Sequence, residues 1–344
     1  VQVSTRIGSD DLREALTGNE PPEVVILSGN DLVAAYDEKG LIEPLDMWIK
    51  SSGIDLDDIF PASLAQCESL DGTILCLPWG CDVDALFWNK DLFGQAGLDP
   101  QRPPQTMEEL VEYADKLTVH DDKGDLSQVG FIPNLSGSHT DLYAAMFGGS
   151  FVSEGGAEMA INSQPVRDAV NWQTQFLDVY AAEDLKRFVS SFTPYMTSRH
   201  PLYAGRRMSC RQCHRSSPIQ NGKTPDTGFS EGKVAMTIDG EWRVRSNTHS
   251  GEKSGVDFGR APFPPPAAHP ERASTSVARG PVVIMPARAL DSEAAAHLLA
   301  WMMSPKILAE VAYAHSLLPT SRTAIQDSRY QAIPDFRVFV DLLA

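Results

Sequence analysis

The sequence predicts an α/β fold of about two domains, and three observations lead there. The chain has 344 residues, roughly twice the length of a common domain. Its apolar fraction of 42% and charged fraction of 22% suit a buried core and exclude wholesale disorder. Short strand-like apolar runs alternate with segments of helical periodicity, the pattern of an α/β protein with largely parallel sheets. Asp and Glu number 46 against 29 Lys and Arg, a net charge of −17. That balance leaves no cationic face for nucleic acid or for an anionic membrane surface. No uninterrupted apolar run reaches the ~18 residues of a membrane-spanning helix.

In chain order, Pro22–Ser28 reads as a short buried strand leading into the loop Ser28-Gly29-Asn30. A helix over Asp31–Lys39 ends at Gly40, where a left-handed residue is needed. Asp82–Asn89 is strand-like. Thr106–Leu117 opens with a capping box, Thr106 and Glu109. Gln164–Ala181 reads as one long helix. Between 191 and 229 the pattern dissolves into an irregular Arg-, Ser-, Gly- and Pro-rich excursion. Lys233–Ile238 restores a buried strand that ends at Asp239-Gly240, and Phe258–Pro266 is a proline-rich connector. Val282–Met285 is a strand, followed by helices over Ser292–Met303 and Pro305–Tyr313. Trp88, Trp172 and Trp301 sit among apolar neighbours and read as core residues.

The five cysteines, Cys67, Cys76, Cys81, Cys210 and Cys213, cannot all pair within one chain. Asp71-Gly72 is a strong signal for a two-residue type I′ turn. Such a turn sets Cys67 opposite Cys76 at a non-hydrogen-bonded site, with Cα atoms ~4.5 Å apart, close enough for a disulfide. The alternatives are two half-buried thiols, or a Cys76–Cys81 link. A disulfide would favour an exported protein. Cys210-Arg211-Gln212-Cys213-His214 has the spacing by which haem c is attached, and with a further ligand such as His200 it could hold zinc. Its short polar flanks offer little to wrap a porphyrin, so a disulfide or plain thiols fit better and no resident cofactor is expected.

Several stretches, in order along the chain, resemble the extracellular solute-binding proteins of ABC importers, the class that includes maltose-binding protein. They are Pro21-Pro22-Glu23-Val24-Val25, Lys39-Gly40-Leu41-Ile42-Glu43-Pro44-Leu45, Leu77-Pro78-Trp79-Gly80 and Phe87-Trp88-Asn89-Lys90-Asp91-Leu92-Phe93. Gly232-Lys233-Val234-Ala235-Met236, Asp239-Gly240-Glu241-Trp242 and Leu318-Pro319-Thr320-Ser321-Arg322 complete the set. The resemblance implies a two-lobed periplasmic-binding-protein-like fold with the ligand in a cleft between lobes that close as a hinge. It places residues 1–87 with 264–316 in lobe one, and 88–263 with 317–344 in lobe two. Crossings are expected near 84–89, 258–264 and 317–320. The family's first strand and helix have no counterpart ahead of Val1, so one β-α unit is expected to be absent, and the relatives do not generally carry the 191–229 excursion.

The function implied is extracytoplasmic delivery of a small solute to the transmembrane subunits of an ABC permease. The protein would be a monomer, periplasmic or lipid-anchored on the outer face of the cytoplasmic membrane, and not an enzyme. No nucleophile elbow, phosphate-binding loop or zinc-protease helix motif is present. Sugar sites combine aromatic faces for the CH face of a pyranose with planar polar groups that take hydroxyls in pairs. The family's ligand-lining loops carry both kinds here: Ser28, Asn30 and Asp31 at a strand end, where open α/β sheets place ligands, Trp79, Asp82 and Asp84 after the hairpin, His139, then Glu241, Trp242 and Arg279. A sugar or oligosaccharide is therefore expected; the alternatives are another solute (a metal chelate, a polyamine or a phosphodiester) or a redox or metal-binding variant built on the Cys210–His214 motif.

Overall fold

The computed structural model describes residues 9–30, 33–135, 138–153, 158–191, 228–244, 256–333 and 336–344. Asp31, Cys210, Cys213, His214 and nearly all of the 191–229 excursion lie outside the described residues. The chain divides into two units, each assembled from separated segments. Unit one comprises Val1–Val83, Ala278–Phe336 and Leu343–Ala344; unit two comprises Asp84–Val277 and Arg337–Leu342. The expected boundaries differ from these: residues 84–87 and 264–277 fall in unit two, and 317–336 and 343–344 in unit one.

Unit one contains α1 (Ser9–Thr17), β1 (Val25–Leu27), α2 (Val33–Asp37), α3 (Asp46–Ser52), α4 (Pro61–Ala65) and β2 (Leu77–Pro78), plus the first two residues of β3 (Asp82–Asn89). Unit two continues with α5 (Lys90–Gln95), α6 (Met107–Lys116), β4 (Val119–His120), β5 (Leu126–Phe131), α7 (Thr140–Met146), α8 (Gln164–Thr174), α9 (Phe176–Val179) and α10 (Ala182–Ser190). It closes with β6 (Val234–Gly240) and β7 (Phe258–Ala261). Unit one resumes with β8 (Ala278–Arg279), β9 (Val282–Ile284), α11 (Ser292–Met302) and α12 (Pro305–His315).

The alternation holds, but the sheets are less parallel than expected. In unit one the strand order is β1-β9-β2, and both pairs are antiparallel. In unit two the order is β4-β5-β6-β3-β7, and among the described pairs only β5 with β6 is parallel. The reason is the discontinuous chain. The first two strands of unit one, β1 and β2, do run parallel to each other, and the late-returning β9 inserts between them in the opposite sense.

Local signals fold as their chemistry dictates. Thr106 caps α6 by accepting the Glu109 N–H at 3.1 Å, while the Glu109 carboxylate turns to Arg102 instead of closing the capping box. Gly40 ends the second helical segment at φ 62°. The long helix expected over 164–181 is interrupted at Gln175 and splits into α8 and α9. Unit two packs Phe131, Tyr143, Trp172, Phe176 and Phe263 into one aromatic cluster, with Tyr143 and Trp172 centroids 4.8 Å apart. Trp88 is buried as expected, its indole lying on Gly259 and its N–H donating to the Pro100 carbonyl at 3.0 Å. Trp301 is not a core residue: it is 58% exposed, because α11 turns Ala295, Ala296, Leu299 and Met302 inward and leaves position 301 outside.

The hairpin also departs from expectation. Asp71-Gly72 turns the chain, but Ser69 N–H donates to Thr73 O and Gly72 N–H to Ser69 O, with Gly72 at φ 84° and Asp71 keeping a negative φ. This is a three-residue loop with a left-handed glycine, not a type I′ turn. The Asp71 carboxylate, which accepts from Ser69 Oγ at 2.5 Å and from Thr73 N–H at 3.2 Å, holds that geometry. The register slips by one residue. Glu68 lies opposite Ile74, and Cys67 pairs through its carbonyl with Leu75 instead of facing Cys76.

Candidate ligand-binding site

In unit one the site grows from strand register. Leu27 at the end of β1 and Pro78 at the end of β2 both pair with Val282 of β9. The two parallel strands therefore end level with each other. The loops that follow them, Ser28–Asn30 and Trp79–Gly80, leave the sheet at one edge, where the Arg279–Pro281 segment enters β9. Trp79 N–H and Gly80 N–H both donate to Pro281 O, at 2.9 and 3.3 Å. The approach is close enough to demand glycines: a Cβ on Gly280 would sit 2.3 Å from Gly80 O. Asn30 is fixed by its amide donating to Gln66 O at 2.8 Å. Asp82 lies directly across from Arg279 in the β3–β8 pair. Ser28 and Arg279 are exposed, while Asn30, Trp79 and Asp82 are half-buried. The Trp79 indole N–H is shielded from solvent and donates to no atom among the described residues.

In unit two the same logic applies at the carboxyl ends of β5 and β6. Asp84 pairs with Gly240, the last residue of β6, so the start of β3 lies beside Glu241 and Trp242. The segment after β5 brings His139 back to this edge. Asn134, in the left-handed region at φ 60°, accepts the His139 N–H at 2.7 Å and donates its amide to Gln173 at 2.5 Å. His139 Nδ1 stands 3.4 Å from Asp84 Oδ2, both side chains about 10% exposed. Glu241 is 1% exposed. Trp242 is half-buried and laid flat on the backbone: a Cβ on Gly240 would come within 2.0 Å of its Cζ3.

Further residues that were not expected at the site also shape this edge. Tyr143 is fully buried, and burial, with the Asp84 carboxylate adding to it, drives its phenol well above the ordinary range, so it stays neutral. Arg243 and Asp239 form a buried ion pair, each about 4% exposed. Asp239 also accepts the Gly240 N–H at 3.0 Å, which ties the glycine under the indole to the pair. Asn134 could have been suspected from its place just after a buried strand. Tyr143 could not, because it lies inside the apolar run Leu142–Phe147, and Asp239 was legible as a strand end but not as the partner of Arg243.

Among the described residues no group of His, Cys, Asp and Glu could hold a metal ion, and no helix is long and apolar enough to cross a membrane. The strand edge of unit one thus offers an indole, an amide, a carboxylate and a guanidinium, and that of unit two an indole, carboxylates, an imidazole and a phenol.

The family model for bacterial extracellular solute-binding proteins matches residues 1–338. The chain belongs to that family. The sn-glycerol-3-phosphate-binding periplasmic protein UgpB of Agrobacterium fabrum is 29% identical over 160 residues, 46% of this chain and 35% of that protein. The maltotriose-binding protein of Pyrococcus abyssi is 23% identical over 254 residues, 74% of this chain and 44% of that protein. The matches thus span less than half the length of these curated relatives. Among solved structures, CpMnBP1 with mannobiose bound superposes at a TM-score of 0.74 with 27% identity, covering 96% of this chain and 74% of that one. The sugar-binding protein MalE of Xanthomonas citri superposes at 0.69 with 18% identity over 97% of this chain and 74% of that chain, a likeness of fold. The family is extracytoplasmic and its members are solute binders.

Proposed function

We propose that this solute-binding protein takes a sugar or short oligosaccharide and delivers it to the transmembrane subunits of an ABC permease. One observation carries the reading: the Trp242 indole, backed flat by Gly240, stands at the strand edge that also holds buried Asp84, Glu241 and His139. A flat apolar face takes the CH face of a pyranose, and carboxylates beside it accept hydroxyl hydrogens in pairs. The mannobiose bound to the similar CpMnBP1 supports the same class of ligand. The protein acts as a monomer, in the periplasm or lipid-anchored on the outer face of the cytoplasmic membrane, and returns its ligand chemically unchanged.

A second reading, an anionic phosphodiester or glycerol phosphate, is favoured by the likeness to glycerol-3-phosphate-binding proteins. The site argues against it. Asp84 and Glu241 place carboxyl oxygens, which are acceptors like those of a phosphate, at this edge, and the guanidinium of Arg243 is already engaged by Asp239. A thermal-shift series with mannobiose, maltotriose and sn-glycerol 3-phosphate decides between them. A ligand at 100 times its Kd raises stability by ~2.7 kcal/mol. The sugar reading expects that rise with a sugar and none with the phosphate; the reverse pattern replaces it.

A further inference from the structure

Three cysteines of unit one are not used by the ligand site, and each is almost completely buried: Cys67 at 1%, Cys76 and Cys81 at 0% exposure. Cys67 and Cys76 are free thiols that share one apolar cluster with Leu27, Leu75, Val282 and Ile284, and Cys76 lies near enough to push the Cys67 thiol up. The contact survives the slipped register for a structural reason. Cys67 N–H still donates to Leu64 O at 2.8 Å, so the residue closes the turn that ends α4 and its side chain is not bound to strand alternation. Cys81 is placed differently. Its backbone is paired in both directions with Leu318, at 2.9 and 2.8 Å, and its Sγ lies 3.6 Å from the Asp82 carbonyl oxygen.

We propose that Cys67 and Cys76 are an oxidisable pair, joined as a disulfide in the exported protein, and that the bond staples the arm running through Leu77-Pro78 to Trp79. The oxidant is a protein disulfide of the kind that maintains thiol oxidation outside the cytoplasm. The Cys67 thiolate attacks one sulfur of that disulfide, forming a mixed disulfide and releasing one thiolate. The Cys76 thiolate then attacks the Cys67 sulfur and releases the second. The two thiol protons end on the two released sulfurs, so the oxidant leaves as a dithiol.

Timing follows from burial. In the folded chain, burial together with the neighbouring Cys76 pushes the Cys67 thiol far above its ordinary range, which suppresses the thiolate that exchange requires. The bond therefore forms while the hairpin is open during folding. Once closed, it is shielded from reductants by the same core.

The test is peptide mapping of the full chain, exported to an oxidising compartment, denatured without reductant and alkylated. The expected result is a Cys67–Cys76 cross-linked peptide with Cys81 alkylated. In Cys67→Ser, Cys76 should become alkylated and Cys81 stay so. Reduction of the wild type in denaturant, followed by refolding, should lower Tm by about 4–8 °C, as expected for releasing so short a loop. Full alkylation of Cys67 and Cys76 in the exported protein, or a Cys76–Cys81 link, overturns the pairing. A Cys67–Cys76 bond whose reduction leaves Tm unchanged overturns its role as a staple. Neither result bears on which solute is bound.

Discussion

Gly240→Ala should separate the ligand platform from the fold. Gly240 does not occupy the left-handed region, so alanine meets no backbone penalty there. The new Cβ would lie 2.0, 2.3 and 2.4 Å from Cζ3, Cη2 and Cε3 of Trp242. Ordinary carbon contacts are about 3.5–4.0 Å, so the indole must lift by ~1.5 Å or rotate away. A binding group needs placement within about 0.5 Å, and the stacked face is therefore lost. Losing an aromatic face from a sugar contact costs about 1.5–3 kcal/mol of binding, a 10- to 150-fold weaker Kd by calorimetry with mannobiose. The half-buried indole contributes little to the free protein, so Tm should fall by only a few degrees. Trp242→Ala should reproduce both results. Binding unchanged within twofold in both variants would remove Trp242 from the site. A large Tm loss in Trp242→Ala would make it a core residue, and the reasoning from Gly240 would fail with it.

Other substitutions probe the supports. Arg243→Met leaves Asp239 buried without its guanidinium and should cost about 3–5 kcal/mol, read as a drop in denaturant midpoint; a change below 1 kcal/mol would mean the pair is not buried in solution. Trp301→Ser should change stability by no more than about 0.5 kcal/mol, whereas Trp172→Ala, inside the aromatic cluster and with its indole N–H on Met107 O at 3.2 Å, should cost about 3–5 kcal/mol. The Arg329 side chain and backbone hold the Asp327 carboxyl down to about 2. A lowered carboxylate pKa stabilises above the ordinary value and ceases to do so as pH falls through the folded value. Wild type should thus exceed Asp327→Asn in stability at pH 5, with the gap closing progressively from about pH 4 to pH 2; a gap that does not vary with pH refutes the pairing.

Much of the fold was legible because periodicity reports local structure. The strand at Asp82–Asn89 and the Thr106 cap follow from residue types alone. What escaped depends on partners distant in sequence. The sheets lost their parallel character because β9, some 200 residues after β2, inserts between β1 and β2. Helix faces were misjudged where alanines did the packing: α11 buries Ala295 and Ala296, which left no room for Trp301 inside. The hairpin register turned on a competition that sequence arithmetic cannot weigh, between a type I′ turn and a side-chain-braced loop in which Asp71 and Ser69 hold Thr73. Asn30, Trp79 and Asp82 in unit one, and Asp84, His139, Glu241 and Trp242 in unit two, are all set at strand ends or the loops that follow them. Tyr143 stayed hidden because a buried polar group inside an apolar run looks like any other core position, and the pairing of Arg243 with Asp239 stayed hidden because a charged residue just past a strand end reads as solvated.

The tryptophans show why a strand end can hold a ligand platform. Trp88 and Trp172 pack in the unit two core, and each satisfies its indole N–H on a backbone carbonyl, as burial requires. Trp79 does not: its N–H is shielded yet donates to nothing among the described residues. An orphan donor alone does not mark a site, since Trp48 on α3 shares the feature. At Trp79 a second condition is met, because the residue follows β2 at the edge where Asn30 and the Arg279–Pro281 segment gather. A donor held there without a partner costs about 1–3 kcal/mol, a cost that a ligand hydroxyl would relieve. Backbone contacts supply the rigidity that side-chain packing gives elsewhere: Trp79 N–H is held by Pro281 O, and the Trp242 ring rests on Gly240. Both indoles are thus positioned by backbone while part of each side chain stays outside the core, so stability and recognition can be altered separately at these two residues.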